Sequence, residues 1–397
     1  MDYKLLVLDN LITDNTKELT KNKIFLKTDQ NSKYATNIKE FITPKELLQN
    51  INTKFIGITG TNGKTTTAFV LGYLLQKAGF KVGVQGTEGF FVNGIKKEDK
   101  SLTTPPILTT IKRAFRYDVD FFVMEVSSHA IAQNRIEGIN FFLKIFTSFS
   151  QDHLDFHKNM NEYKKVKESF FKDDVIKIVN GKLKKDFIEI GGFKFDINKK
   201  NLYLINKPLI EDIPLAGEFN KINFSLAIKA YELLTNKKEI DFSDFKGVSG
   251  RMEIVYKNPL IIIDFAHTPD GMQKVLSSIS SKKIVVFGAG GNRDKKKRSL
   301  MGEVADKFSD FIILTEDNPR CENVKDIIDD IKKGIKKTPY KIVYNRKDAI
   351  KEAIKIAKEK NFVLFILGKG DESYIEYCDK KIPFNDREVI KEILKIN

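Results

Sequence analysis

Phe55-Ile56-Gly57-Ile58-Thr59-Gly60-Thr61-Asn62-Gly63-Lys64-Thr65-Thr66-Thr67 runs from an apolar, β-branched stretch into a glycine turn, then Lys-Thr, then helix-forming residues. A strand that turns through glycine into a helix lets backbone N–H groups converge on a chain of phosphates. Lys64 is placed to reach the terminal phosphates, and the Thr65 hydroxyl suits Mg²⁺. Gly60, Thr61, Asn62, Gly63 and Thr66 complete the cradle. The general pattern also wants Gly five residues before Gly63, where this chain has Ile58. The loop is thus a variant, and by itself it names only a nucleoside triphosphate.

Outward from this loop, hydrophobic bursts alternate with amphipathic stretches to the end of the chain, the pattern of parallel α/β sheets. The bursts predict strands at Lys54–Thr59, Lys81–Gln85, Phe121–Glu125, Leu143–Thr147, Val175–Val179, Leu260–Asp264, Lys283–Phe287, Phe311–Thr315, Lys341–Val343 and Phe362–Leu367. Helices are expected at Thr65–Ala78, Glu162–Phe171, Asn220–Leu234, Arg346–Glu359 and Asp386–Ile396. The first ~50 residues are polar, with weak strands and a Pro-started helix at Thr43-Pro44-Lys45-Glu46. A second seam falls near Asp241–Ser249. The expectation is an α/β fold in three parts: residues 1–50 small, 51–246 a central phosphate-loop domain with a mostly parallel sheet, and 247–397 a Rossmann-like α/β domain.

Among the 397 residues, 68 Lys+Arg outweigh 53 Asp+Glu, a net charge of +15. The excess is mostly lysine and is spread along the chain, without the aromatic interleaving of an RNA-binding strand, so a basic surface is expected rather than a nucleic-acid groove. Hydrophobic residues at 41% are too many for general disorder. No apolar run approaches the ~20 residues of a membrane helix. The two cysteines, Cys321 and Cys378, form no Cys-x-x-Cys pair, which argues against a disulfide framework or structural zinc and for the reducing cytoplasm.

Ionisable residues gather where strands end. Glu125 closes the strand Phe121–Glu125 and could hold a metal beside Thr65, the lesser alternative being a glutamate that merely caps the strand. The next strand leads to Asp152-His153-Leu154-Asp155-Phe156-His157, with two of the four histidines. Then come Tyr163 and, one turn later on the same helical face, Lys167. Taken alone, Lys167 reads as solvated surface charge.

In chain order with Gly60–Thr66 stand Thr103-Thr104-Pro105, Met124-Glu125-Val126-Ser127-Ser128-His129, Asp152–His157, Tyr163–Lys167, Gly217-Glu218-Phe219-Asn220 and Gly250-Arg251-Met252-Glu253. Asp264-Phe265-Ala266-His267-Thr268-Pro269, Gly290-Gly291-Asn292-Arg293-Asp294, Asp317-Asn318-Pro319-Arg320 and Gly368-Lys369-Gly370 follow. This series resembles the Mur ligase family, ATP-dependent amide-forming enzymes of peptidoglycan precursor synthesis. The resemblance implies ATP and two Mg²⁺ sites, held by Thr65, Glu125, His153 and Lys167, the last as a CO₂-derived carbamate. It also implies that Asn220 meets adenine, Arg251 the γ-phosphate and Asp264 the ribose, with Lys64, Lys167, Arg251 and His153 catalytic. Thr103, Thr104, Ser127, Gln133 and Arg135 match positions that hold the muramoyl-peptide substrate.

The resemblance further implies that Arg293, Asp317, Asn318, Arg320, Gly368 and Glu372 hold the incoming amino acid, meso-2,6-diaminopimelate. That molecule carries one carboxylate more than lysine, and a guanidinium can grip it with two parallel N–H bonds. Two departures stand out. Relatives usually read Gly-Lys-Gly-His-Glu where this chain has Gly368-Lys369-Gly370-Asp371-Glu372, and their uridine-binding front domain is longer than the ~50 residues here. The implied reaction is ATP-driven activation of a UDP-muramoyl dipeptide as an acyl phosphate, then capture by the amine. A monomer acting on small molecules is expected, with no nucleic-acid or membrane partner. A sister ligase adding L-lysine, or glutamate on folate, and a phosphate-loop NTPase switch remain the alternatives.

Overall fold

The computed structural model describes residues 3–99, 101–184, 187–190, 192–196 and 201–395. Its chain divides into two compact units. The first comprises residues 1–149, 159–211 and 221–242, and the second 150–158, 212–220 and 243–397.

The first unit is built on an eight-stranded sheet in the order Leu202–Ile205, Ile176–Asn180, Phe141–Phe146, Lys54–Thr59, Phe121–Glu125, Val82–Gly86, Gly89–Val92, Ile95–Glu98. The first six run parallel; Gly89–Val92 folds back antiparallel to Val82–Gly86, and Ile95–Glu98 reverses again beside it. Lys54–Thr59 lies in the middle and is buried from Phe55 onward, as a parallel strand covered on both faces must be. It hands the chain to the helix Lys64–Lys77. In the front fifty residues a short parallel sheet, Ile12–Thr13, Ile24–Leu26 and Phe41–Ile42, precedes the helix Pro44–Leu48. A capping box starts that helix: Thr43 Oγ1 accepts from Glu46 N while Glu46 Oε2 accepts from Thr43 N at 2.7 Å. Val7, Ile12, Leu26 and Leu47 share one apolar cluster with Phe55, Phe90 and Phe122, so the front packs into this unit's core.

In the second unit the sheet order is Glu253–Lys257, Leu260–Asp264, Val363–Leu367, Lys283–Phe287, Phe311–Leu314, Tyr340–Ile342. Only Glu253–Lys257 is antiparallel. Alternate residues feed opposite faces: Ile262, Val285 and Ile312 join one apolar cluster, while Ile261, Ile284 and Ile313 join the other. Helices cover both faces, the doubly wound arrangement that places ligands beyond the strands' C-terminal ends. Arg346 and Asp386 form an ion pair at 2.8 Å with both side chains fully buried.

The α/β fold with mostly parallel sheets is as the periodicity implies. The cysteine expectation is overturned: Cys321 and Cys378 are joined in a disulfide. They lie 57 residues apart, and the backbone bridge between Arg320 and Tyr377 brings their Cα atoms to 4.4 Å. No local spacing could carry that signal.

Candidate functional site

In the first unit the turn after Lys54–Thr59 is fixed by its neighbours. Asn62 N donates to Ser148 Oγ at 2.9 Å, and Ser148 Oγ donates back to Asn62 O at 2.9 Å. Gly63 sits at φ 90°, and a Cβ there would come within 2.4 Å of Asn223 Oδ1, so glycine is required on both counts. Lys64 Nζ donates to the loop's own carbonyls, Gly60 O and Thr61 O, each at 2.9 Å. The ammonium is thereby held at the loop where phosphates would lie. Thr65 and Thr66 are buried at the start of the helix.

Lys167 is buried rather than solvated, at 1% exposure. Its Nζ donates to Thr59 Oγ1 at 3.1 Å and lies 5.1 Å from the centre of the Tyr163 ring, the same-face partner expected from helical spacing. Tyr163 in turn contacts the loop through Thr61 Oγ1, 3.0 Å from its hydroxyl.

Glu125 pairs in register with Ile58, which sets its carboxylate at the C-terminal edge beside the phosphate-loop strand. Its oxygens accept from Thr87 N at 3.0 Å and Thr87 Oγ1 at 3.2 Å, and its own carbonyl accepts from Thr104 Oγ1 at 2.9 Å. Thr104 Oγ1 also accepts from Ser127 N at 3.0 Å, Thr104 O accepts from Arg135 Nη1 at 3.0 Å, and Arg135 Nη2 donates to Gln133 Oε1. Thr103 Oγ1 meets Thr87 Oγ1 at 3.2 Å. All five residues expected to hold the muramoyl peptide therefore form one connected network with Glu125.

Among the described residues no three His, Cys, Asp or Glu side chains converge as a ready metal cage. The oxygens of Thr65 and Glu125 fit a hard cation but are few, and the lysine ammonium repels one. The side chains present thus supply the oxygen chemistry of a magnesium site but not a full donor set.

In the second unit His153 adopts φ 56° and its Nε2 lies 3.4 Å from Asp152 Oδ2. The same carboxylate is 3.9 Å from His267 Nε2, and its other oxygen is 3.8 Å from Lys297 Nζ. Burial pushes Asp152 up, but the surrounding charges of His153, Lys297 and His267 outweigh it and hold the carboxyl well below the usual range. Asn220 is buried, with Nδ2 donating to Ala216 O at 2.7 Å. Asp264 is buried too and accepts from Met252 N at 2.8 Å and Ala266 N at 2.7 Å. Burial raises its pKa in spite of Arg251 and these bonds. The Arg251 guanidinium lies over the Phe265 ring at 4.5 Å and donates to Gly250 O at 3.1 Å.

At the C-terminal edge of this unit's sheet, the loops after Phe311–Leu314 and Val363–Leu367 bring Asp317, Asn318, Arg320, Gly368 and Glu372 together. Gly368 has φ 108°, and a Cβ there would meet Asp317 Oδ2 at 2.4 Å. Asn318 Nδ2 donates to Glu372 Oε2 at 2.8 Å. Lys369, fully buried and given no role of its own within the Gly368-Lys369-Gly370 motif, donates to Glu372 Oε2 at 2.8 Å and Asn318 Oδ1 at 3.1 Å. Arg320 donates from Nε to Glu376 Oε2 at 2.9 Å, another residue the motifs did not mark. Arg293 pairs with Asp155 at 3.3 Å.

A nucleotide-loop unit preceding a doubly wound unit with a polar loop cluster defines a nucleotide-dependent ligase class. The chain matches the family descriptions Mur ligase middle domain over residues 58–231 and Mur ligase, glutamate ligase domain over residues 250–370. It belongs to the Mur ligase family. A Helicobacter pylori relative named UDP-N-acetylmuramoyl-L-alanyl-D-glutamate--2,6-diaminopimelate ligase is 40% identical, over 96% of this chain and 95% of its own length. A Wolinella succinogenes protein of the same name is 41% identical over 96% of each. Among solved structures, a ligase of that name superposes with TM-score 0.58 at 23% identity, covering 97% of this chain and 94% of the other. A Mycobacterium tuberculosis folylpolyglutamate synthase with ADP gives 0.65 at 16% identity, covering 93% and 95%. These two likenesses concern the fold.

Proposed function

We propose that this chain joins meso-2,6-diaminopimelate to UDP-N-acetylmuramoyl-L-alanyl-D-glutamate at the expense of ATP, through an acyl phosphate on the D-glutamyl side chain. The observation that carries the reading is Glu125: its strand runs in register with the phosphate-loop strand while its carbonyl holds Thr104 of the peptide-binding network. One residue thereby links the phosphoryl donor to the acid that receives it.

In this reading Gly60 to Thr66 hold the triphosphate and Lys64 offsets charge developing on the transferred phosphoryl group. Arg135 and Thr104 orient the peptide acid. Thr65, Glu125, His153 and a carbamylated Lys167 would hold two magnesium ions, whose charge would offset that of the phosphoryl oxygens. Asn220 meets adenine, Arg251 the γ-phosphate and Asp264 the ribose. Arg320, with Asn318, Asp317, Arg293, Gly368 and Glu372, selects the amino acid by its second carboxylate. The three-part division 1–50, 51–246 and 247–397 is kept as the functional one. The enzyme works as a monomer. No helix among the described residues is long and apolar enough to cross a membrane. The reaction belongs to the cytoplasm, where ATP is supplied.

Magnesium-dependent ADP release that requires both the UDP-muramoyl dipeptide and diaminopimelate, with a product of the summed mass less water, is the test. Release indifferent to either partner would contradict the reading. The sister reading, a ligase using another amino acid, predicts that L-lysine or a folate with glutamate outperforms diaminopimelate in the same assay.

A further inference from the structure

We infer that Glu376 is a positioning residue that aims Arg320 at the distal carboxylate of the incoming amino acid, and so sets selectivity for a diamino diacid over a diamino monoacid. The inference rests on the ligase reading and extends it to a residue outside the recognition motifs.

Arg320 has five N–H donors in a planar fork. Nε donates to Glu376 Oε2 and Nη1 to Gly291 O, both at 2.9 Å. Three donors remain, one on Nη1 and two on Nη2. With Nε engaged, the side-on edge of the fork is taken, and a ligand carboxylate meets the two hydrogens of Nη2 and the one left on Nη1. Gly290 keeps room beside that end, since a Cβ there would stand 3.0 Å from Nη1.

The backbone is held as firmly as the side chain. Arg320 has φ 50°, a left-handed conformation uncommon for a residue with a side chain. It is secured by Arg320 N donating to Glu376 O at 2.9 Å, while Glu376 N donates to Asn318 Oδ1 at 2.9 Å. Glu376 thus grips the recognition loop three times: by its N–H, its carbonyl and its carboxylate. The pair stays within reach of solvent, with Arg320 23% and Glu376 29% exposed. Fixing the fork beforehand removes rotamer entropy that ligand binding would otherwise have to overcome. An amino acid lacking the distal carboxylate gains nothing from that pre-arranged end.

The test is steady-state kinetics of the full chain with diaminopimelate, L-lysine and ATP as varied substrates. Glu376→Asp keeps the charge but withdraws the acceptor from Nε; Glu376→Ala removes both; Glu376→Gln keeps an acceptor oxygen at the same reach. We expect KM for diaminopimelate to rise about tenfold in the Ala and Asp variants, with KM for ATP within about twofold of wild type. The Gln variant should recover most of the loss, and the preference over L-lysine should fall in step with KM. An unchanged diaminopimelate KM in Glu376→Asp overturns the inference, as does an equal rise for ATP. If the wild type itself releases no diaminopimelate-dependent ADP, the ligase reading fails instead; an active wild type with indifferent variants sinks only the role of Glu376.

Discussion

Lys167 Nζ donates to the Thr59 hydroxyl across 3.1 Å, at the last residue of the strand that feeds the phosphate loop. The Thr59 hydroxyl in turn donates to Val126 O at 2.7 Å, so Lys167 is tied to the strand edge beside the phosphate loop. Placement this deep beside a phosphate cradle gives the lysine a task beyond surface charge.

Carbamylation of Lys167 should therefore be visible. In ¹³C-bicarbonate the active enzyme is expected to show a carbamate carbonyl signal that Lys167→Gln lacks. That variant should lose about 10²–10³ in kcat, the scale of removing one electrostatic contributor. An active wild type without a Lys167-dependent signal would refute the modification.

Arg320→Ala should weaken diaminopimelate by about 2–5 kcal/mol and leave ATP binding nearly unchanged. Because the side chain is 23% exposed, the low end of that range is expected. Arg320→Lys should restore little, since a point charge cannot make the paired contact. Isothermal titration with each ligand reads both numbers.

Two residues beyond Arg320, Glu322 accepts from Arg298 Nη1 and Nη2, each at 3.0 Å. Those bonds, with help from Asn292 N–H and Lys295 and against the push of burial, hold its pKa at about 2, below the ordinary 4.5. A depressed carboxyl stabilises the fold fully above pH 4.5 and loses that contribution as pH falls through 2. Glu322→Gln should accordingly be less stable than wild type at pH 7, with the gap closing between pH 4.5 and 2. Urea unfolding at pH 7, 4 and 3 measures it; a gap independent of pH would be inconsistent.

The Arg346–Asp386 pair is fully buried, and Arg346 also donates to Leu367 O at 3.0 Å and Glu316 O at 3.2 Å, just before the two amino-acid loops. Asp386→Ala leaves an uncompensated buried guanidinium and should cost about 3–5 kcal/mol. Replacing both members with apolar residues should cost less than the single change. Chemical unfolding of the single and double variants decides.

The boundaries of Lys54–Thr59, Phe121–Glu125, Leu260–Asp264 and Lys283–Phe287 agree with the sequence expectation residue for residue. Each is an apolar burst bounded by polar or turn residues, and a strand buried on both faces must be so composed. The hairpin Gly89–Val92 with Ile95–Glu98 and the small antiparallel sheet Lys182–Leu183, Phe187–Ile190, Phe193–Asp196 were not legible in the same way. Their strands are short, and Ile95–Glu98 and Lys182–Leu183 are largely exposed, so composition there follows local pairing more than a continuous core.

Among candidate site residues, those in glycine-bounded motifs could be read directly, because Gly63 and Gly368 are demanded by backbone conformation and close approach. The Lys369–Asn318 bond, Glu376 and the Cys321–Cys378 disulfide were hidden. The residues joined, Asn318 with Lys369, Arg320 with Glu376 and Cys321 with Cys378, lie 51 to 57 residues apart along the chain. Linear order alone determined that a strand meets a phosphate loop at Gly60, that apolar bursts recur at a parallel-sheet period, and that an arginine follows Asp317-Asn318-Pro319. Tertiary structure decided that Lys167 is buried, that Glu125 carries the Thr104 network, and that Arg320 is already paired. The physical reason is that propensity and periodicity act over a few residues, whereas burial and charge pairing are settled only when distant strands are laid side by side.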